Sequence, residues 1–360
     1  MELGEIDSPQ RMNPHLPSGA EAADSKPFYW IGDFPEPPAL LKTLLERNLK
    51  CPVASLGRRI PARWSPVHRQ LAYFGLAVSI LRHRKKYRGG FSVQQFIGLY
   101  ACYFSARLRI PLPPMFLQPL IYVPRKGVFG WMWRHLFATA LGHPSLRIAF
   151  CHSQREIDEY RLVFPAAAAK FRLLRFAIDP VPPPAAPASP PYLFSAGMSC
   201  RDYATLFEAA RRLPAEFPFI RIACKPADVQ DLVPPPNVLL QYDLWGEPFR
   251  EALARATLVV VPLRPLPISA GQTVFLTAMS AARPIVATRT PASSEFLDDA
   301  CAWLVPPEDP DALAAAIQEA VNNPDLARAK ADAARARFNA VHSPKAIFQQ
   351  STSAIAAELR

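Results

Sequence analysis

Between residues 51 and 150 the chain has no aspartate and no glutamate. The same stretch carries 15 Lys and Arg, while the other 260 residues hold 26 basic and 30 acidic side chains. The whole net charge of +11 therefore arises in one segment. A one-sign field of that size draws polyanions or an anionic membrane surface. No RNA- or DNA-binding motif accompanies it, so a membrane surface is expected and nucleic acid is not. Cysteine is sparse. Six are scattered (Cys51, Cys102, Cys151, Cys200, Cys224, Cys301), with no CxxC and no Cys/His ligand spacing. That pattern gives no disulfide framework and no metal site, and it suits buried thiols in a reducing compartment. None of the seven histidines stands in a metal-ligand or catalytic-triad spacing. Apolar runs fall short of the roughly 20 residues that span a bilayer. The start, MELGEIDSPQ, is acidic and polar, unlike a secretory signal. The expected location is cytoplasmic, peripheral to the inner face of the cell membrane.

What is present is a chain of 360 residues, half of them hydrophobic, which is enough for two domains with sizeable cores. Residues 1–25 are polar and are expected to lack order. Residues 26–179 form a first, strongly basic domain, with short strands at Phe28–Ile31, Phe91–Val93, Leu120–Val123 and Arg147–Cys151. Residues 180–191, PVPPPAAPASPP, contain seven prolines and read as an extended linker. Residues 192–324 alternate strand and helix throughout. Strands are expected at Tyr192–Ser195, Phe219–Cys224, Val238–Tyr242, Thr257–Leu263, Ile285–Thr288 and Trp303–Val305. Such alternation gives a parallel sheet with helices on both faces, an α/β doubly wound domain that takes ligands at the carboxyl ends of its strands. Asp309 and Pro310 suit the N-cap and first position of a helix. Residues 325–360 are helical and are expected to pack back on the first domain.

The stretch 257–288, TLVVVPLRPLPISAGQTVFLTAMSAARPIVAT, carries the strongest site signal. A buried strand leads to the turn Ser269-Ala270-Gly271-Gln272-Thr273, which opens a helix. A small-residue turn at a helix start offers backbone N–H groups and the positive end of the helix dipole, a place to hold a phosphate or diphosphate. A plain αβ connection, with its glycine used only for tight packing, is the alternative. A second turn, Ser195 to Asp202, follows the first strand of the domain. Gly197 there lets the backbone approach a ligand, and Arg201 has the fork geometry to clamp phosphate oxygens. Arg201 and Asp202 as solvated first-turn residues are the blander reading. Lys225, just past the second strand, adds another cation at the same sheet edge, as does Asp243 a carboxylate. In the first domain, Arg82 to Arg88 is a basic cluster, and Trp131-Met132-Trp133-Arg134-His135 adds aromatics beside charge. That mixture suits an anionic membrane face, or a solvated face over a core aromatic cluster. His152-Ser153 follows a strand and is placed to line a cleft or to serve as a hydrogen-bonded structural pair.

These residues resemble glycosyltransferases of the GT-B architecture, most closely glycosyltransferase family 4 (glycosyl transferases group 1). SAGQTVFLTAMSAARPIVAT looks like that family's donor-site segment. FLDDACAWLVPPEDPDALAAAI is similar to the segment that follows it, and SAGMSCRDYATLFEAARRL to the turn and helix that open the donor domain. The family's two glutamates with seven residues between them are replaced by Ser269 and Thr277, so the Glu-x7-Glu motif is degenerate. Met198 stands where a basic residue is common.

The resemblance implies two Rossmann-like domains facing a central cleft, the C-terminal one holding a nucleotide-sugar donor. It implies that Gly197, Arg201 and Lys225 face the diphosphate, with Arg201 and Lys225 as the catalytic cations. Ser269, Ala270, Gly271, Gln272, Thr273 and Thr277 would bind the donor. The expected activity is a hexosyltransferase of bacterial polysaccharide biosynthesis. It would move a hexose from a nucleotide-diphosphate sugar to a lipid-linked or polysaccharide acceptor, retaining configuration, with no metal and no cofactor besides the donor. The alternative is a non-catalytic GT-B relative, a membrane-associated partner in glycan assembly. An epimerase or phosphorylase on the same architecture is a third class.

Overall fold

The computed structural model describes residues 26–360 apart from 62–63, 185–187, 199 and 266–269; the N-terminal tail and Ser269 lie outside the described residues. The chain divides into two compact units, one formed by residues up to Leu174 together with Phe348–Arg360, the other by Arg175–Ile347.

In the first unit the elements run β1 (Phe28–Ile31), α1 (Ala39–Leu49), β2 (Val53–Ser55), α2 (Pro66–His83), β3 (Gly89–Ser92), α3 (Gln95–Leu108), β4 (Met115–Leu117), α4 (Gly127–Gly142), β5 (Leu146–Cys151), α5 (Gln154–Val163) and β6 (Phe171–Leu173). The sheet order is β2-β1-β3-β4-β5-β6, and every pairing is parallel. Successive strand side chains point to opposite faces. Ile31, Met115, Leu117, Ala149 and Cys151 join one core with α2 to α5. Phe91 meets both Trp30 and Phe150 edge to face, away from that cluster. Local sequence sets the helix starts. Ser65 caps α2 by accepting from the His68 amide, with Pro66 at the first position. Ser153 and Glu156 form a reciprocal capping box on α5.

The second unit runs β7 (Leu193–Ala196), α6 (Tyr203–Arg211), β8 (Ile220–Ala223), β9 (Val238–Gln241), α7 (Glu247–Arg255), β10 (Leu258–Val261), α8 (Gln272–Ser280), β11 (Ile285–Thr288), α9 (Pro291–Ser294), β12 (Trp303–Val305), α10 (Pro310–Asn322) and α11 (Pro324–Arg337); α12 (Pro344–Glu358) begins in it and continues in the first unit from Phe348. Its sheet order is β12-β11-β10-β7-β8-β9, again all parallel. Phe194, Val259, Val261, Ile285 and Ala287 face a core with α8. Their neighbours Leu193, Leu258, Val260 and Val286 face a second core with α6 and α10. Helices thus cover both faces, and the order reverses between β7 and β10. Asp309 caps α10 by accepting from the Ala312 amide at 2.9 Å, with Pro310 at the first position, as the sequence indicates. Seven consecutive residues of α8, Val274–Ser280, are buried, so this helix is packed all round.

Two expectations need correction. The Pro-rich 180–191 lies within the second unit: Val181 packs with Ala254 and Ala281, and its amide donates to the Ser280 hydroxyl at 3.0 Å. Leu120–Val123 is no strand. The strand is Met115–Leu117, and the Tyr122 amide is instead tied to the Tyr160 hydroxyl. From Phe348 the C-terminal helical segment belongs to the first unit, where Thr352 accepts a 2.9 Å bond from Asn48 of α1.

Candidate functional site

A cleft of about 510 Å3 opens in the second unit at the carboxyl ends of its strands. Ala196 ends β7 and Ala223 ends β8; both line it, together with the loop entering α7 and the first turns of α8. This is the edge at which the strand order reverses, the switch point of a doubly wound sheet. The volume is in the usual range for small-molecule sites.

One wall is the start of α8. Gly271 is its N-cap with φ +86, a backbone that side chains other than glycine rarely adopt. A Cβ there would meet the Phe275 ring at 2.7 Å, and that ring is fully buried. The turn therefore lies directly on the core. No side chain caps this helix among the described residues. The amides of its first turn, Gln272 to Val274, belong to the set that an α-helix cannot satisfy internally. They present partial positive charge at the cleft.

The opposite wall is the turn after β7. Gly197 has φ +117, and the Arg201 guanidinium lies over it; an added Cβ would come within 2.3 Å of Arg201 Nη2. Arg201 Nε donates to the Ala196 carbonyl at 2.6 Å, and the residue is 8% exposed. Burial lowers the guanidinium pKa from its very high ordinary value. Tyr203 donates from its hydroxyl to the Gly197 carbonyl at 2.6 Å, fixing the turn from below. Arg201 also forms a short antiparallel bridge with Leu263, which joins the loops after β7 and β10. Asp202 is a structural cap: it accepts from the Thr205 amide and hydroxyl.

The structure brings together most of the residues singled out in the sequence. Gly197, Arg201, Ala270, Gly271, Gln272, Thr273 and Thr277 line one cleft, with Met198 at its rim. Thr277 is almost fully buried, and its hydroxyl donates to the Thr273 carbonyl at 2.6 Å, so it is bonded within its own helix. Lys225 is a correction. It is exposed and does not line the cleft; the Asp228 carboxylate accepts from its backbone amide and turns the chain away after β8. Asp243 is likewise exposed and outside it. His152 sits in the first unit with Nδ1 at 3.0 Å from the Leu174 carbonyl, a structural contact beside the Ser153 cap.

Sequence reasoning missed Ile178, Trp245, Gly246, Phe249 and Arg250, which complete the lining. Arg250 donates to the Asp179 and Pro180 carbonyls at 3.1 and 3.2 Å, which holds the chain beside Ile178 against α7. The one available signal was Trp245-Gly246 directly before a helix. Among the described residues no cluster of His, Cys, Asp and Glu is arranged to hold a metal.

Residues 203–323 match the family model described as glycosyl transferases group 1. No curated protein matches the sequence. Solved structures match over nearly the whole chain. Anabaena Alr3699/HepE, crystallised with UDP, aligns with a TM-score of 0.63 at 13% identity, over 92% of this chain and 100% of that one. A glycosyltransferase from Rickettsia africae gives 0.60 at 12%, over 93% and 99%. Sucrose-phosphate synthase from Thermosynechococcus elongatus gives 0.58 at 14%, over 91% and 98%. At these identities the likeness establishes the fold. The two parallel sheets have the GT-B fold, residues 203–323 form a glycosyl transferases group 1 segment, and the chain that carries it is a transferase.

Proposed function

We propose that the cleft binds a nucleotide-diphosphate hexose and that the protein transfers the hexose, with retention, to a lipid-linked or polysaccharide acceptor at an anionic membrane surface. The reading rests on one observation above all: a buried arginine and an uncapped helix start line the same small cleft, within and beside the family segment. The leaving group of this chemistry is a diphosphate. Charge that builds on it is stabilised by the α8 amides of Gln272 and Thr273 and by the Arg201 guanidinium, both already oriented before the donor arrives. Gly197 leaves room for the Arg201 guanidinium and Gly271 for the Phe275 ring, so both turns are set by what packs on them. Ile178, Trp245 and Phe249 supply the apolar wall for the nucleoside and sugar rings. HepE was crystallised with UDP and with UDP-glucose, which favours uridine as the base. Retention requires no protein nucleophile, and Arg201 with the α8 helix start supplies the positive charge that a metal would otherwise bring. Lys225 has no part in this scheme.

Calorimetry with UDP, GDP and ADP sugars tests the reading. UDP-glucose is expected to bind, and turnover is expected to survive a chelator. Absence of binding by every nucleotide sugar at millimolar concentration would defeat it.

A further inference from the structure

The segment from Ile121 to Met132 lies in the first unit and is almost entirely surface; only Tyr122 and Gly130 in it are buried. Its exposed side chains are unusually apolar. Val128 is 78% exposed and Trp131 68%, and Val123, Phe129 and Met132 are each more than half exposed. Contiguous apolar surface of this kind is uncommon on a folded unit without a partner. The backbone beneath is firmly held. The Ile121 amide donates to Gln95 Oε1 at 2.8 Å and the Tyr122 amide to the Tyr160 hydroxyl at 2.9 Å. The Tyr122 ring packs against Phe137 and Phe164. At Gly130 a Cβ would stand 1.9 Å from the Arg125 carbonyl oxygen, so the loop lies flat on the helix that follows it. The Arg125 guanidinium covers the rings of Phe129 and Trp133 at 5.1 and 4.7 Å.

The charge around this patch has one sign. Arg125, Lys126 and Arg134 are exposed, and the first turn of α4 holds no acidic residue and has no side-chain cap. Arg134 reaches α5 at the Val163 carbonyl, and there Asp158 and Glu159 are already paired with Arg161 and Arg155. An apolar tip ringed by cations at a helix start matches an anionic bilayer. Phosphates meet the cations and the helix dipole, while aromatic and aliphatic side chains enter the boundary below.

We infer that the loop 121–126 and the first two turns of α4 seat the protein on an anionic lipid bilayer, with Phe129 and Trp131 as the inserted side chains. The inference deepens the proposed function, since it rests on the reading that the acceptor is presented at a membrane. The seat follows the carboxyl end of β4, the edge at which a doubly wound sheet takes its ligands. An acceptor's anchor can therefore remain in the bilayer while its head group reaches that edge.

The test is co-sedimentation of the full chain with phosphatidylcholine vesicles, with and without about 30 mol% phosphatidylglycerol, at low salt and at about 0.3 M salt. The wild type is expected to bind the anionic vesicles and to release as salt rises. F129S/W131S is expected to lower partitioning at least about tenfold with an unchanged melting temperature, because both side chains are exposed. R125E/K126E is expected to lower it on anionic vesicles alone. Wild-type chain left in the supernatant at low salt, or F129S/W131S binding as the wild type does, overturns the seat. So does a dimer in sedimentation that the double variant dissociates, which would make a second copy the occupant. UDP-glucose calorimetry on the same samples separates the two readings: a chain that binds nucleotide but not vesicles loses the seat and keeps the donor site.

Discussion

On the proposed function the two units answer the same problem, attracting an anion to the edge of a parallel sheet, with opposite uses of charge. In the second, one arginine is buried over a glycine and bonded to backbone, and a packed helix start faces it. In the first, the cations are many and exposed, spread through a segment of 100 residues without a single carboxylate. Buried, oriented groups are little screened by salt and recognise a small ligand by geometry. Exposed cations act together over an extended surface and fade as salt rises. On that reading a shared topology supports a selective site in one unit and a general field in the other, and the difference lies in the loops rather than the strands.

The most severe test of that contrast is Gly271→Val. The positive φ and the contact with Phe275 leave no room for it, so nucleotide affinity should fall by about a hundredfold or more, while vesicle binding stays as in the wild type. Calorimetry and co-sedimentation on one preparation would show whether the two functions separate. Arg201→Ala should weaken nucleotide binding by about ten- to a hundredfold, with Arg201→Lys recovering only part of it. If the contrast is right, the affinity of the wild-type cleft will also vary far less with salt than vesicle binding does.

A pH titration sharpens the comparison at the level of stability. His342 is fully buried in the second unit, stacked on Phe296, with Nδ1 at 3.2 Å from the Phe176 carbonyl. Burial pushes its pKa down to about 4, and Arg175 and Arg337 act in the same direction against the opposing carbonyl contact. Unfolded, the imidazole takes its proton near pH 6.5; folded, it does so only near 4. Between these values the unfolded chain binds the extra proton. The contribution is therefore complete above about pH 6.5 and is lost as pH falls towards 4, on the order of 1–3 kcal/mol. His342→Leu should flatten the melting temperature of the second unit across that window. An equally steep acid dependence in the variant would assign the loss to other groups. The smallest effect is expected at Thr277. Because its hydroxyl is bonded to the Thr273 carbonyl, Thr277→Ala should change nucleotide affinity by no more than about threefold. Thr277→Glu, which restores a carboxylate to the cleft wall, should strengthen it in the same assay.

The second unit was legible because its strands are short runs rich in β-branched residues with a proline at one end, as at Leu258–Val261 before Pro262 and Ile285–Thr288 after Pro284. Both site turns could be found for the same reason: each is a glycine between a buried strand and a helix. The first unit was harder. Met115–Leu117 is a strand of three residues hemmed in by prolines at 111, 113, 114 and 119, whereas Leu120–Val123 has the better strand composition and no ladder to join. Pairing with β3 and β5 decides the matter, and pairing is not local information. Val53–Ser55 and Phe171–Leu173 were missed for the same reason. Lys225 was misplaced because sequence gives the strand end but not the direction of the chain beyond it. Trp245 reaches the cleft from the loop before α7 and Arg250 from α7 itself, yet nothing in their spacing said which way they would point.

Burial of α8 on every side has a further consequence. A helix that can neither slide nor tilt within its core transmits a load applied at its tip to the strands that grip it. A ligand held at Gly271–Thr273 should therefore slow amide exchange in β10 and β11, well beyond the residues it touches. The cleft would act as a keystone, and occupancy would be written into the rigidity of the whole sheet.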